Sequence, residues 1–157
     1  MFSMNSHSQR GMALLVSLVF LLLLTLIGLS AMQNATLQEK MAGSVSLRNQ
    51  SFQSAEAALR AGESEVELKT YSLKLCIDVP PQCAPPAESS LITAAGVNST
   101  SGVTWKASGS GFYGVQNIGV TNAGVNMNGD YVTLYRVTAV GIAGNSRSVL
   151  ESIYAKY

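Results

Sequence analysis

The hydrophobic pattern of this chain changes character twice. After Arg10 and Gly11 an apolar run covers residues 12–32, and no charged residue occurs until Glu39. Residues 14–27 present no polar face, because Ser17 and Thr25 can return their hydroxyls to the preceding helical turn. The 21 residues of the run, at about 1.5 Å each, make roughly 31 Å of helix, against about 30 Å for a bilayer's hydrocarbon core. The pattern then becomes periodic. Leu37, Met41, Val45, Phe52, Ala55, Leu59, Gly62 and Val66 recur at helical spacing as one apolar stripe. Arg48, Glu56, Arg60, Glu63 and Glu67 lie opposite, with Glu56 to Arg60 and Glu65 to Lys69 in the favourable i to i+4 order. The spacing predicts one long helix over residues 13–69.

From residue 71 the pattern changes again, to Gly, Asn, Ser and Thr with short β-branched or aromatic runs. Strands are expected at 102–107, 131–142 and 146–154, the last two joined as a hairpin through Ala143, Gly144 and Asn145. Asn128-Gly129 reads as a turn before Tyr131. A long amino-terminal helix packed on an antiparallel sheet is an α+β fold. The outer half of the stripe, Phe52 to Val66, is expected to cover that sheet. Its inner half, Leu37 to Val45, has no local strands to pack on and is left for contacts with other chains. Gly28 and Gly43 are weak points of the helix, each costing about 1 kcal/mol relative to alanine. They serve either bending or close packing against a neighbouring helix.

A run of this length and purity is a membrane span or a cleaved secretory signal. It exceeds the roughly 7 to 15 apolar residues of a signal and lacks a turn-forming break at its exit, which favours the span. Arg10, the one basic residue before the run, favours a cytoplasmic amino terminus with the rest of the chain outside.

The leader resembles that of the type IV pilin family, whose precursors carry a short polar leader ending in Gly and a long apolar helix directly after it. The matching residues are Arg10-Gly11 followed by Met12-Ala13-Leu14-Leu15. Residues 37–43 (LQEKMAG) and 48–63 (RNQSFQSAEAALRAGE) resemble the PilX subfamily of minor pilins. The resemblance implies cleavage between Gly11 and Met12 by a prepilin peptidase, then N-methylation of Met12. It implies four segments: leader 1–11, transmembrane and assembly half 12–32, amphipathic half 33–70, and strand-rich domain 71–157. It further implies a single-pass inner-membrane protein with a periplasmic carboxyl-terminal domain, later sited at the tip or in the shaft of a pilus beside other minor pilins and the major pilin.

One position departs from the family. Most pilins carry a glutamate at the fifth residue after the cut, where it pairs with a neighbour's amino terminus; here that residue is Val16. A carboxylate in a bilayer is kept only where a partner compensates it, so its absence suggests a subunit at or near the tip. The alternative is a tolerated substitution in an apolar helix. Val16, Leu37, Met41 and Val45 are the expected assembly residues.

Cys76 and Cys83 are the two cysteines. In an oxidising compartment, as the topology implies, they would close a short disulfide loop. Zinc lacks ligands, since the sole histidine is His7, in the leader. Pro80-Pro81 and Pro85-Pro86 mark an exposed loop connecting helix to sheet.

Other chemistry is thin. Gly109, Gly111 and Gly114 spell GxGxxG, but the following residues 115–120 have no helical stripe, so the glycines read as loop residues rather than a nucleotide site. Asn126, Asn128 and Asp130 alternate like a calcium loop, yet Tyr131 and Val137 stand where that loop needs Gly and an acid. Turn-forming residues are the simpler account, with an incidental calcium site the alternative. Loss of Arg10 from ten Lys and Arg leaves nine against nine Asp and Glu, which offers no field for nucleic acid. No nucleophile stands beside an evident base, and no cofactor or metal is expected. The sequence therefore reads as a non-catalytic minor pilin that primes assembly or sits near the tip. The alternatives are a minor pseudopilin of a type II secretion system and a single-pass periplasmic binding protein that does not polymerise.

Overall fold

The computed structural model describes residues 8–76, 83–123 and 131–157, with side chains from Gly11 onward. His7, the loop interior 77–82 and the Asn126, Asn128, Gly129 and Asp130 positions lie outside the described residues. Helix α1 runs from Ser8 to Glu67, so it begins five residues before the expected start and passes unbroken through Gly11 and Met12. Nothing in that stretch stops a helix, since no proline occurs before Pro80. The chain divides into two units, Met1–Gly43 and Ser44–Tyr157.

In the first unit every described side chain of the helix is exposed. Ser17 Oγ donates to the Leu14 carbonyl and Thr25 Oγ1 to that of Leu22, each at 2.8 Å, so the run carries its two hydroxyls without a polar face. Open space surrounds the Cβ positions of Gly11, Gly28 and Gly43.

The second unit has three layers around a five-stranded antiparallel meander in the order β1-β2-β3-β4-β5. The strands are β1 Gly96–Val97, β2 Thr104–Ser108, β3 Gly111–Thr121, β4 Val132–Ala143 and β5 Ser146–Lys156. Three of them fall within a few residues of the expected positions. β3 does not, because it occupies the segment read as glycine-rich loop. Its glycines suit contacts that the sequence alone cannot display. Gly109 has φ +57° and makes the tight β2–β3 turn opposite the Ser108–Gly111 pair. Inside the strand, a Cβ on Gly114 would stand 2.4 Å from Val103 Cγ1. The motif thus opens a strand rather than a helix. A bulge between Asn117 and Gly119 bends β3, and the Asn117 side-chain oxygen holds it by accepting from the Gly119 amide at 3.0 Å.

Alternate residues of β3 and β4 serve two cores. On the inner face Val115, Tyr135 and Val137 meet Val66 and Leu59 of the helix, with Tyr71, Tyr113 and Tyr154 closing the edges. On the outer face Val140, Phe112 and Ile142 meet Val103, Trp105 and Ile92. Of the proline segment, expected as an exposed connection, Pro85 is exposed and Pro86 joins this outer layer. Pro86 is buried and leads into a 3-10 turn, Ala87–Ser90, whose Glu88 accepts from Ser101 Oγ and from Trp105 Nε1. β4 lies between both layers, which is why its apolar residues run almost without alternation.

Candidate functional site

The expected assembly residues are all exposed within the chain: Val16 at 47 %, Leu37 at 56 %, Met41 at 68 % and Val45 at 58 %. Leu37 and Met41 are one helical turn apart on one face, while Val16 lies 21 positions earlier, about 31 Å along the axis. Gly11 and Met12 stand in the first turns of the same helix, with Met12 exposed. The helix is long and apolar enough to cross a membrane.

From Ser51 onward the helix meets its own sheet, and Ala55, Leu59, Gly62 and Val66 of the expected stripe face it; the stripe errs at Phe52, whose place Ser51 takes. The buried positions are Ser51, Ala55, Ala58, Gly62 and Val66, whereas Phe52 is 45 % exposed. Size explains the correction. A Cβ on Gly141 of β4 would lie 2.0 Å from the Ser51 carbonyl and 2.3 Å from the Ala55 amide nitrogen. The helix backbone therefore rests on the strand, and only small side chains fit between them. Ser51 Oγ also bonds Ser148 Oγ at 2.8 Å and Ser146 Oγ at 3.2 Å. Hydrophobicity was the signal read from the sequence, and it passes over Ser51 and ranks Phe52 too high.

The far end of the helix is held by charge. The Glu65 carboxylate accepts from Lys106 Nζ and from Tyr113 Oη, the latter at 2.7 Å. Glu65 is thus paired with β2 rather than with Lys69, a contact 41 residues away that no local spacing announces. Burial alone would raise the Glu65 pKa. The hydrogen bonds from Lys106 and Tyr113, with the lysine's charge, outweigh it and hold the pKa below its ordinary 4.5. Burial, then the bond and charge of Glu65, push the Tyr113 hydroxyl up to about 12. Burial, then the charge of Glu65, do the same for Tyr71. Beyond Glu67, Lys156 Nζ donates to the Leu68 and Tyr71 carbonyls at 2.6 and 2.9 Å, placing a cation where the helix dipole favours one.

Cys76 and Cys83 are brought together as a disulfide with Cα atoms 5.3 Å apart. The bridge sits where the chain crosses from the inner layer to the outer one. The Cys76 amide donates to the Asn117 carbonyl at 2.9 Å, and Leu75 forms a bridge to Asn117. On the other side Arg136 Nη1 donates to the Cys83 carbonyl at 2.8 Å, and Gln116 Nε2 to that of Ala84 at 3.2 Å. Beside this crossing β2 parts from β3 and leaves a cleft of about 430 Å³ lined in part by Glu65, Val103 and Val115.

Residues 10–60 match the family described as PilX N-terminal. No curated protein and no solved structure matches the chain. The family match spans the apolar run, the exposed Leu37, Met41 and Val45, and the buried Ser51, Ala55 and Ala58, and it ends before the sheet begins. It is through this helix, packed at its outer end on an antiparallel sheet, that residues 10–60 are similar to the PilX N-terminal family of type IV pilins.

Proposed function

We propose that the chain is a non-catalytic minor-pilin subunit, held in the inner membrane by residues 12–32 and then built into a pilus through the same helix. The observation that carries this reading is the exposed apolar surface between Met12 and Val45 on a helix matched by the PilX N-terminal family. An apolar surface of this extent is not maintained in water. A bilayer would cover its first part, and the helices of other minor pilins and of the major pilin would cover the remainder after assembly.

In this reading the leader is removed between Gly11 and Met12, and Met12 is methylated. Val16 offers no carboxylate to a neighbouring amino terminus, which suits a subunit that primes the filament or stands near its tip. The sheet domain faces the periplasm, where an oxidising environment sustains the Cys76–Cys83 bridge.

Amino-terminal sequencing of the membrane-extracted protein tests the processing. A start at Met12 is expected, and a start at Met1, Met4 or Gln33 overturns it. Leu37→Cys and Met41→Cys variants are expected to cross-link to other pilins in the membrane; capture of none would indicate a single-pass protein that does not polymerise. Deleting the gene should reduce surface pili and leave protein secretion intact, whereas the reverse result identifies a secretion pseudopilin.

A further inference from the structure

The sheet ends in an open edge. β5 is last in the strand order and pairs with β4 along its length, with no register shift. Their hairpin closes over Gly144 and Asn145, with Ala143 opposite Ser146. Such a closing pair is hydrogen-bonded, and antiparallel pairs alternate from it. Even-numbered residues of β5 therefore bond to β4, and Arg147, Val149, Glu151 and Ile153 turn their backbone N–H and C=O groups outward. The amide of Ile142, which faces Arg147, fits this phase: it donates away from β5, to the Ser110 carbonyl at 3.2 Å. Among the described residues no other backbone group meets the outward ones.

Exposed edges are commonly blunted by short length, proline, a bulge or an outward lysine. β5 has none of these. It is 11 residues long and free of proline, and its one lysine, Lys156, is turned back onto the end of the helix.

A groove of about 400 Å³ runs beside this edge, between Arg48 and Phe52 of the helix and Arg147 and Val149 of the strand. Phe52 and Val149 are 45 % and 42 % exposed, so both remain open to contact. Among the described residues neither guanidinium is in an ion pair. Arg147 donates to the Ile92 carbonyl, which leaves most of its donors available.

We propose that this edge binds an extended acidic segment of a partner protein. The segment adds a strand to β5, lays apolar side chains on Phe52 on the helix side and Val149 on the outer side, and brings one carboxylate to Arg48 and another to Arg147. The outward backbone groups require an extended chain, and the two arginines require acid. A second copy of this chain fits poorly. Its β5 carries Arg147 and Lys156 against one acid, Glu151, which Arg136 already holds at 3.1 Å. The proposal uses a surface beyond the assembly residues Val16, Leu37, Met41 and Val45 and stands apart from the reading given above.

The test uses the full chain in detergent micelles and a short fluorescent peptide of paired valines and paired glutamates, which sets both residue types on each face of the added strand, compared with its valine–lysine counterpart. Anisotropy is expected to show the acidic peptide binding, more weakly as salt rises, and the basic peptide binding at least roughly tenfold less tightly. Val149→Pro removes an outward N–H while leaving the β4 ladder intact, so it is expected to weaken binding by roughly tenfold or more without changing the circular dichroism. Arg48→Glu, on an exposed helix position, should do the same and decides the matter if the proline variant fails to fold. Binding of both peptides alike, binding of neither, or full binding by both variants overturns the proposal. Light scattering that shows self-association through this edge, abolished by Val149→Pro, also overturns it, since the occupant is then a second copy.

Discussion

Two stretches of one helix treat apolar residues in opposite ways. Before Gly43 the helix is rich in Leu, Val, Phe and Met, and all of its described side chains are exposed. Between Ser51 and Val66 the positions that vanish from solvent are Ser, Ala, Ala, Gly and Val. The difference lies in what covers each stretch. A bilayer or a neighbouring helix takes large side chains at little geometric cost, because it adapts to them. The chain's own sheet is rigid and close. It admits the helix only where the helix has little side chain to place between the two backbones. In this molecule the most hydrophobic segment is therefore not the core, and the core segment is barely hydrophobic.

The severest way to break this contrast is to thicken the close contact. Gly141→Val places a side chain on the Ser51 carbonyl and the Ala55 amide, neither of which can rotate away. A loss of about 3 kcal/mol or more is expected, read as a lowered denaturant midpoint of the full chain in detergent, with membrane insertion unchanged. Next in size is the bridge at the layer crossing. Cys76→Ser with Cys83→Ser should cost about 2.5 kcal/mol from lost loop closure, and reductant should lower the wild-type midpoint without affecting the double variant.

Glu65 supplies a smaller effect with a pH signature. Its folded pKa lies below the unfolded 4.5, so the stability it contributes is present above that value and is lost as pH falls through the depressed one. Tyr71 and Tyr113, raised from 10.0 to about 12, act at the other end. Their contribution is whole below about 10 and disappears as pH rises toward 12. Glu65→Gln should cost about 1 to 2 kcal/mol at neutral pH, flatten the acid limb of a melting-temperature profile and lower the Tyr113 pKa seen by ultraviolet titration. An unchanged acid limb would place the sensitivity elsewhere.

The smallest effect sharpens the contrast from the other side. Met41→Ser is expected to shift the unfolding midpoint by less than about 0.5 kcal/mol, since the residue is 68 % exposed. The same variant should lose cross-links to partner pilins, which separates a surface for others from a surface for the fold.

Much of this arrangement was readable in the pattern of residue types. The length and purity of residues 12–32, the helical spacing that follows and the β4–β5 hairpin rest on local chemistry, which depends on near neighbours along the chain. The strand β3 was not readable. Its glycines at 111 and 114 look like loop residues until Val140 and Val103 stand against them. Phe52 was misplaced for a related reason, because a hydrophobic side chain marks a preference for burial without naming the surface that provides it. The tyrosine and lysine that hold Glu65 come from strands 48 and 41 residues away, and no periodicity links such positions.

Residue order alone was enough to decide that this chain begins as an apolar helix of bilayer length and continues into an amphipathic one, because helical periodicity and hydrophobic run length are properties of neighbouring residues. That Ser51 rather than Phe52 lies on the sheet, which glycines are strand rather than loop, where the acid at position 65 finds its cation and which edge stays open were decided only when distant segments met. Those outcomes depend on the space left between two backbones, and that space does not exist until the chain has folded.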